Sequence, residues 1–442
     1  MSDYSSMTAA DLGRGIEAGE IDPVDLVTAF LDAAEAHEHA PRIFTHLTRD
    51  RALAEAEAAR DRAQLGLRRH PLDGVPVSWK DLFDTAGVET CAGSDLLKGR
   101  VPARDARVLQ TATLNGLVCL GKTHMSELAF SGLGLNPITQ TPPCVNDAAA
   151  VPGGSSSGAA ASVAFGLAPV AVGSDTGGSV RIPSAWNDLV GLKTTSGRLS
   201  LEGVVPLAAK FDTVGPLCRT VEDAALMLSA LEGSRVADLR GASLKGARLG
   251  VLQTIALDDL REVPGAAFEQ ACQRLQEAGA ELIPLDFAPL HDAMGDAAIL
   301  YTAEAWATWR GTIEANPDAM FPRIRERFEA GKLPNAADYI AAWHRLDAMR
   351  VRWAEATASL DAVIAPTAPI LPPDAARLMS DPEYYVTENL LALRNTRIGN
   401  LTGGAGLSLP TGTPSCGLMF IGTPMGEEHL LRLGAAAEPC LK

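Results

Sequence analysis

From Ala148 to Ser174 the chain carries no charged residue, and this stretch limits the folds open to it. A run of that length could cross a bilayer. Yet Pro152, Gly153, Gly154, Ser155, Ser156, Ser157 and Pro169 interrupt it, so it holds no continuous apolar helix of ~20 residues. It reads instead as a loop, a buried helix and a buried strand, which need a large core around them. The composition supplies one: 47% of the 442 residues are hydrophobic, which excludes wholesale disorder. The charge excludes other classes. With 38 Lys and Arg against 54 Asp and Glu the net charge is −16, and Arg68-Arg69-His70 is the longest basic stretch. Direct nucleic-acid binding or attachment to an anionic membrane would need clustered cations, so neither is expected.

Seven cysteines (Cys91, Cys119, Cys144, Cys218, Cys272, Cys416, Cys440) are scattered and never spaced C-x-x-C. That pattern disfavours both a disulfide framework and a structural zinc site, and reduced thiols fit a cytoplasm. The first residues, Met1-Ser2-Asp3-Tyr4-Ser5-Ser6, show neither the basic start nor the apolar stretch of a signal peptide. The expectation is a cytoplasmic protein.

Residues 1–70 read as helical, with Asp22-Pro23 opening an amphipathic segment and Leu47 to Leu65 composed as a surface helix. Beyond Asp73-Gly74, short apolar runs alternate with helices. Strands are predicted near Val75–Trp79, Leu117–Leu120, Val170–Gly173, Arg248–Leu252, Glu281–Pro284, Ala362–Ala365, Leu407–Pro410 and Gly417–Ile421. Helices are predicted near Ala106–Asn115, Ser157–Gly166, Val221–Leu231 and Ala266–Ala278. This alternation indicates an α/β fold with helices covering a sheet. Leu290 to Leu360 is almost all helical and holds Trp306, Trp309, Trp343 and Trp353, as an insertion or cap on the sheet would. Pro366 to Pro373 reads as a linker.

Three patterns bear on chemistry. Gly116 to Thr123 satisfies G-x-x-x-x-G-K-[ST], but Leu117, Val118, Cys119 and Leu120 favour a buried strand over a phosphate-cradling loop. Gly154-Ser155-Ser156-Ser157-Gly158 fits G-x-S-x-G with Ser156 as nucleophile. That elbow needs a preceding strand and a partner histidine, and none of the eight histidines has a distinctive neighbourhood. A Ser-His-Asp esterase therefore stays a remote alternative. No H-E-x-x-H or His/carboxylate cluster supports a metal, and no cofactor is expected.

The third pattern combines Gly74-Val-Pro-Val-Ser-Trp-Lys80-Asp81, Pro152 to Gly158, and Ser174-Asp-Thr-Gly-Gly-Ser-Val-Arg181. Each could be a mere turn, since Gly and Ser dominate turns. Together they supply what acyl transfer without histidine requires. A lysine among Val75, Val77 and Trp79 is desolvated and becomes a neutral base, while strand alternation turns Asp81 to the opposite face. A serine in a Gly-Gly-Ser turn can sit where successive N–H groups converge, and one such oxyanion donor is typically worth ~3 kcal/mol.

These motifs, with Gly121 to Phe130, Val190 to Arg198, Asp212 to Pro216 and more loosely Asp361 to Pro369, resemble the amidase signature family in order and spacing. The resemblance implies a single large α/β domain over residues 1–442, a mixed β-sheet sandwiched between α-helical layers. Its parts would be a helical N-terminal part (1–70), a signature core (71–231) and a helical substrate-pocket region (290–360). It also implies a Ser–Ser–Lys triad of Ser179 as nucleophile, Ser155 as bridging serine after a cis Gly154–Ser155 peptide, and Lys80 as base. Thr176, Gly177, Gly178 and Ser179 would supply oxyanion donors, with Asp175 and Arg181 orienting the loop and Ser156 and Ser157 capping the next helix. The implied activity is hydrolysis of a small or medium-sized amide through an acyl-enzyme. The acyl pocket would fall within Leu290–Leu360 and around Leu390–Gly404, with Tyr301, Trp306, Trp309, Trp343 and Trp353 as lining candidates. Departures in the C-terminal region favour a stand-alone enzyme over the alternative, the glutaminase subunit of a tRNA-dependent amidotransferase. The expected partner is a small-molecule amide, with a homodimer left open.

Overall fold

The computed structural model describes residues 4–441; Met1, Ser2 and Asp3, part of the N-terminal signal-peptide reading, lie outside them. Among the described residues eleven strands form one mixed sheet: β1 (Phe44–Leu47), β2 (Pro76–Lys80), β3 (Val118–Thr123), β4 (Val170–Asp175), β5 (Val190–Lys193), β6 (Thr213–Cys218), β7 (Arg248–Leu252), β8 (Glu281–Leu285), β9 (Ala362–Pro366), β10 (Gly406–Pro410) and β11 (Gly417–Ile421). Their order is β1-β3-β2-β4-β6-β5-β10-β11-β9-β7-β8. β2 runs parallel to both β3 and β4, and β7 parallel to β8 and β9; the remaining pairs are antiparallel. Layers of helices sandwich the sheet. Ser157–Ala164 packs on β2, β3 and β4, Val221–Glu232 on β5 and β6, and Glu427–Leu441 on β10 and β11. No helix of the described residues is long and apolar enough to cross a membrane.

Local chemistry explains the element ends. Asp22 caps the helix Pro23–Ala36 through the N–H of Val24, with Pro23 at its first position. Thr220 caps Val221–Glu232, which Gly233 closes in the left-handed conformation. β2, β3 and β4 are buried along their whole length, covered on both faces rather than alternating between core and solvent.

Several sequence expectations need correction. The N-terminal seventy residues are not wholly helical: β1 lies among them and pairs antiparallel with β3, though four residues are too few to show a period. β5 and β6 are absent from the predicted strands, because Gly215 and Pro216 disguise β6 as a turn. Pro366 to Pro373 is no linker. Thr367 and Ile370 are fully buried, and Pro369 and Pro373 accept backbone hydrogen bonds from Arg261 and Val151.

Candidate active site

The site lies at the carboxyl ends of the parallel neighbours β2 and β4, where α/β sheets present ligands. Lys80 is the last residue of β2, and β4 delivers Ser174 and Asp175 into the turn Thr176–Ser179. Between them runs the loop before the helix Ser157–Ala164, with its Gly154–Ser155 peptide cis. A Cβ on Gly154 would stand 2.5 Å from the backbone nitrogen of Gly134, so only glycine lets these two chains approach.

Lys80 is completely buried, with Nζ 2.7 Å from Ser155 Oγ and 2.7 Å from Ser174 Oγ. Burial pushes its amine down to about 7, against the upward pull of the Asp175 and Asp212 charges. Asp81 faces away, as strand alternation requires, and pairs with Lys122 at 2.9 Å. That pairing also accounts for the phosphate-loop pattern. Gly121, Lys122 and Thr123 belong to the buried strand β3, and Lys122 Nζ further donates to Thr90 Oγ1.

Ser179 sits beside the serine loop, its carbonyl accepting the N–H of Ser156 at 3.2 Å. Thr176, Gly177 and Ser179 line a narrow cleft together with Tyr301, Arg327 and Arg397. A larger groove lined by Arg350, Trp353 and Thr402 includes none of Lys80, Ser155 or Ser179.

Asp175 orders the turn. Its buried carboxylate accepts the N–H groups of Gly178 (2.8 Å) and Val180 (3.2 Å) and pairs with Arg181 at 2.9 Å. Asn400 adds a further donor at 3.0 Å. Burial alone would raise the Asp175 carboxyl, but Arg181 overrides it and holds the group well below the usual carboxylate range. The Gly178 N–H, expected among the oxyanion donors, is thereby engaged by Asp175. Among the described residues the N–H groups of Thr176, Gly177 and Ser179 have no backbone or side-chain acceptor. Asp212 holds the Thr176 hydroxyl at 2.6 Å, and Thr396 donates to the Gly177 carbonyl at 2.7 Å.

Ser156 does not cap the following helix. Its Oγ donates to the Ser174 carbonyl and accepts the Ser174 N–H, tying the serine loop to β4. Ser157 likewise donates to the His124 carbonyl. No strand leads directly into Ser156, so the nucleophile-elbow pattern lacks its frame. Of the aromatic residues proposed to line the pocket, Tyr301 reaches the cleft. Trp309 instead donates to the Pro206 carbonyl, and Trp343 stacks on Phe211.

The helix Pro382–Leu401 contributes more than sequence reasoning allows it. Asn389 accepts from Ser131 and Gly132, Thr396 holds the turn, and Asn400 holds Asp175. This helix packs so close that a Cβ on Gly178, whose φ is +137°, would stand 2.1 Å from Thr396 Oγ1. Gly178→Ala should therefore destabilise the fold by about 2–4 kcal/mol, from positive-φ strain and overpacking, and displace the turn. Urea unfolding and kcat measured on the same preparation check both effects.

Comparison with known proteins bears on the family and the fold. The profile of the family described as Amidase matches residues 25–431. An amidase of Pseudomonas putida is 36% identical over 99% of this chain and 97% of its own. A glutamyl-tRNA(Gln) amidotransferase subunit from Chloroflexus aurantiacus is 31% identical over 99% of this chain and 97% of its own. The native peptide amidase structure from Stenotrophomonas maltophilia superposes with a TM-score of 0.83 at 28% identity, over 99% of this chain and 97% of that one. The chain belongs to the amidase family and is an amide-hydrolysing enzyme.

Proposed function

We propose that the chain works alone, hydrolysing a small amide to a carboxylate and ammonia or an amine through an acyl-enzyme on Ser179. The observation that carries this reading is the buried Lys80, its amine lowered by burial to about 7, within hydrogen-bond distance of Ser155 and Ser174. Neutral Lys80 donates an N–H to Ser174 and keeps its lone pair for the Ser155 hydroxyl proton. Ser155 passes its proton to Lys80 as it takes that of Ser179, and Ser179 Oγ attacks the amide carbon. The N–H groups of Thr176, Gly177 and Ser179 receive the oxyanion; Gly178, held by Asp175, shapes the turn rather than donating. Lys80 then returns the proton through Ser155 to the leaving nitrogen as the carbon–nitrogen bond breaks. Water, deprotonated by the same relay, releases the acid and restores Ser179.

A second reading, ammonia production from glutamine within a tRNA-dependent amidotransferase, is favoured by the amidotransferase relative. Completeness of the proposed machinery in one chain supports the first reading, which requires neither a second copy nor a partner protein. The free thiols of all seven cysteines support a cytoplasmic setting. A neutral fluorophosphonate should label the Ser179 peptide and leave Ser156 untouched; label on Ser156 would restore the nucleophile-elbow alternative. In the same preparation, the single chain should hydrolyse simple amides without glutamine. Activity on glutamine alone, and only after a partner is added, would favour the amidotransferase reading.

A further inference from the structure

The cleft beside Ser179 holds two guanidinium groups that the proton relay does not use. Arg327 projects from the helix Pro322–Glu329 and Arg397 from Pro382–Leu401, and both line the cleft with Gly177, Ser179 and Tyr301. Arg397 lies against the oxyanion turn, its Nε 3.8 Å from where a Cβ on Gly177 would stand.

Neither cation is engaged by an acid. Among the described residues no carboxylate acts on either one; Arg327 feels chiefly Arg397, and Arg397 feels Tyr301. Arg327 Nε and the Tyr301 hydroxyl are buried without a hydrogen-bond partner. What the arginines do meet is aromatic: Arg327 lies 4.7 Å from the Phe130 ring centre and Arg397 5.7 Å from that of Tyr301. The arginines that build the fold are treated differently. Arg62, Arg181 and Arg198 each meet a buried acid, Asp73, Asp175 and Glu427 respectively.

Two desolvated cations side by side without an anion are costly, and a chain of net charge −16 has ample carboxylates with which to pair them. Burial, reinforced by the charge of Arg397, lowers the Arg327 guanidinium only to about 10, so it stays charged at neutral pH. A guanidinium presents a planar fork of donors that matches a carboxylate. From these unpaired groups we infer that the substrate is an amide that also carries a carboxylate, which Arg327 and Arg397 grip while its carbonyl rests at Ser179. This inference rests on the reading of Ser179 as nucleophile. It narrows the substrate class from small amides in general to amic acids, whose second end is an anion. The Tyr301 hydroxyl is placed to add a third donor.

The test compares malonamate, succinamate and glutaramate, each with its diamide, which replaces the carboxylate by a neutral group of the same size. At least one acid should exceed its diamide in initial-rate kcat/KM by about 30-fold or more, the worth of a charge-assisted contact. Arg327→Gln and Arg397→Gln should each cut that ratio about tenfold, and a ratio is insensitive to partial loss of folded enzyme. Independently of any variant, malonate, succinate or glutarate should protect Ser179 of the wild-type chain from the neutral fluorophosphonate. Such protection supports the inference even where none of the three acids is turned over. Equal or faster hydrolysis of the diamides, or the absence of both turnover of the acids and protection, overturns it while labelled Ser179 leaves the nucleophile reading standing. Failure to label Ser179 at all removes that reading and this inference together.

Discussion

Lys80→Ala should retain a folded chain and lose about 10²–10⁴-fold in kcat, the usual worth of a general base. Removing the amine deletes no ion pair, since Nζ meets only the Ser155 and Ser174 hydroxyls and, at 3.5 Å, the Ser174 carbonyl. Lys80→Arg should be equally poor, because guanidinium keeps its proton throughout the accessible pH range. The pH profile carries the sharper test. Burial lowers the Lys80 amine from 10.5 to about 7, so the charged form, which cannot take a proton in the proposed relay, dominates below that pH. In the wild type kcat/KM should rise through one ionisation near pH 7 and level off above it. The opposing charges of Asp175 and Asp212 set where the rise falls, and Asp212→Asn should move it to lower pH. A flat profile between pH 6 and 9, or an active Lys80→Arg enzyme, would mean that Lys80 only positions its serines.

The parts of this site that sequence exposes are those set by local rules. Alternation along a strand separates Lys80 from Asp81, and the structure shows Asp81 on β3's side with Lys122. A Gly/Ser run after an apolar strand marks the turn at Thr176–Ser179 because few other residues tolerate such backbone. The helical stretch after residue 290 is legible from composition, and it folds as Pro289–Ala315, Pro322–Glu329 and Ala336–Thr357.

What sequence conceals depends on distant partners. Ser156 looks like a helix cap, yet its hydroxyl serves β4, a choice made by packing across the sheet. Thr396 and Asn400 look like ordinary helix polar residues until that helix docks on the turn. Arg327 and Arg397 did leave a signal. Arg327 sits between the buried Ile324 and Phe328, and Arg397 lies four residues from each of the buried Leu393 and Leu401. A cation on an apolar helical face invites a question about its anion, but only the fold reveals that the protein supplies none.

Arg181→Met should strongly destabilise the fold next to the turn. Arg181 and Asp175 are both fully buried, and removing the cation strands a carboxylate in the interior at a cost of about 3–5 kcal/mol. Lys193 offsets part of that loss. Burial and the Arg181 charge depress its amine to about 7 while Asp175 pulls it upward, so without Arg181 it holds a proton more readily. The expected cost therefore falls at the lower end of that range, and the double variant Asp175→Asn/Arg181→Met should recover at least half of it. Asparagine Oδ1 can still accept the Gly178 N–H, and no uncompensated charge remains. The wild-type pair has a defined pH signature. The folded Asp175 carboxyl lies below its ordinary 3.8, so its contribution is full above that pH and is lost as the pH falls towards the folded value. Urea unfolding followed by tryptophan fluorescence reads these differences, with Trp186 in the same short helix as Arg181. A single variant as stable as the wild type would show that Gly178, Val180 and Asn400 suffice to hold the carboxylate. Arg181 would then owe its place to the helix Pro382–Leu401, where it also donates to the Thr396 carbonyl and to Asn400.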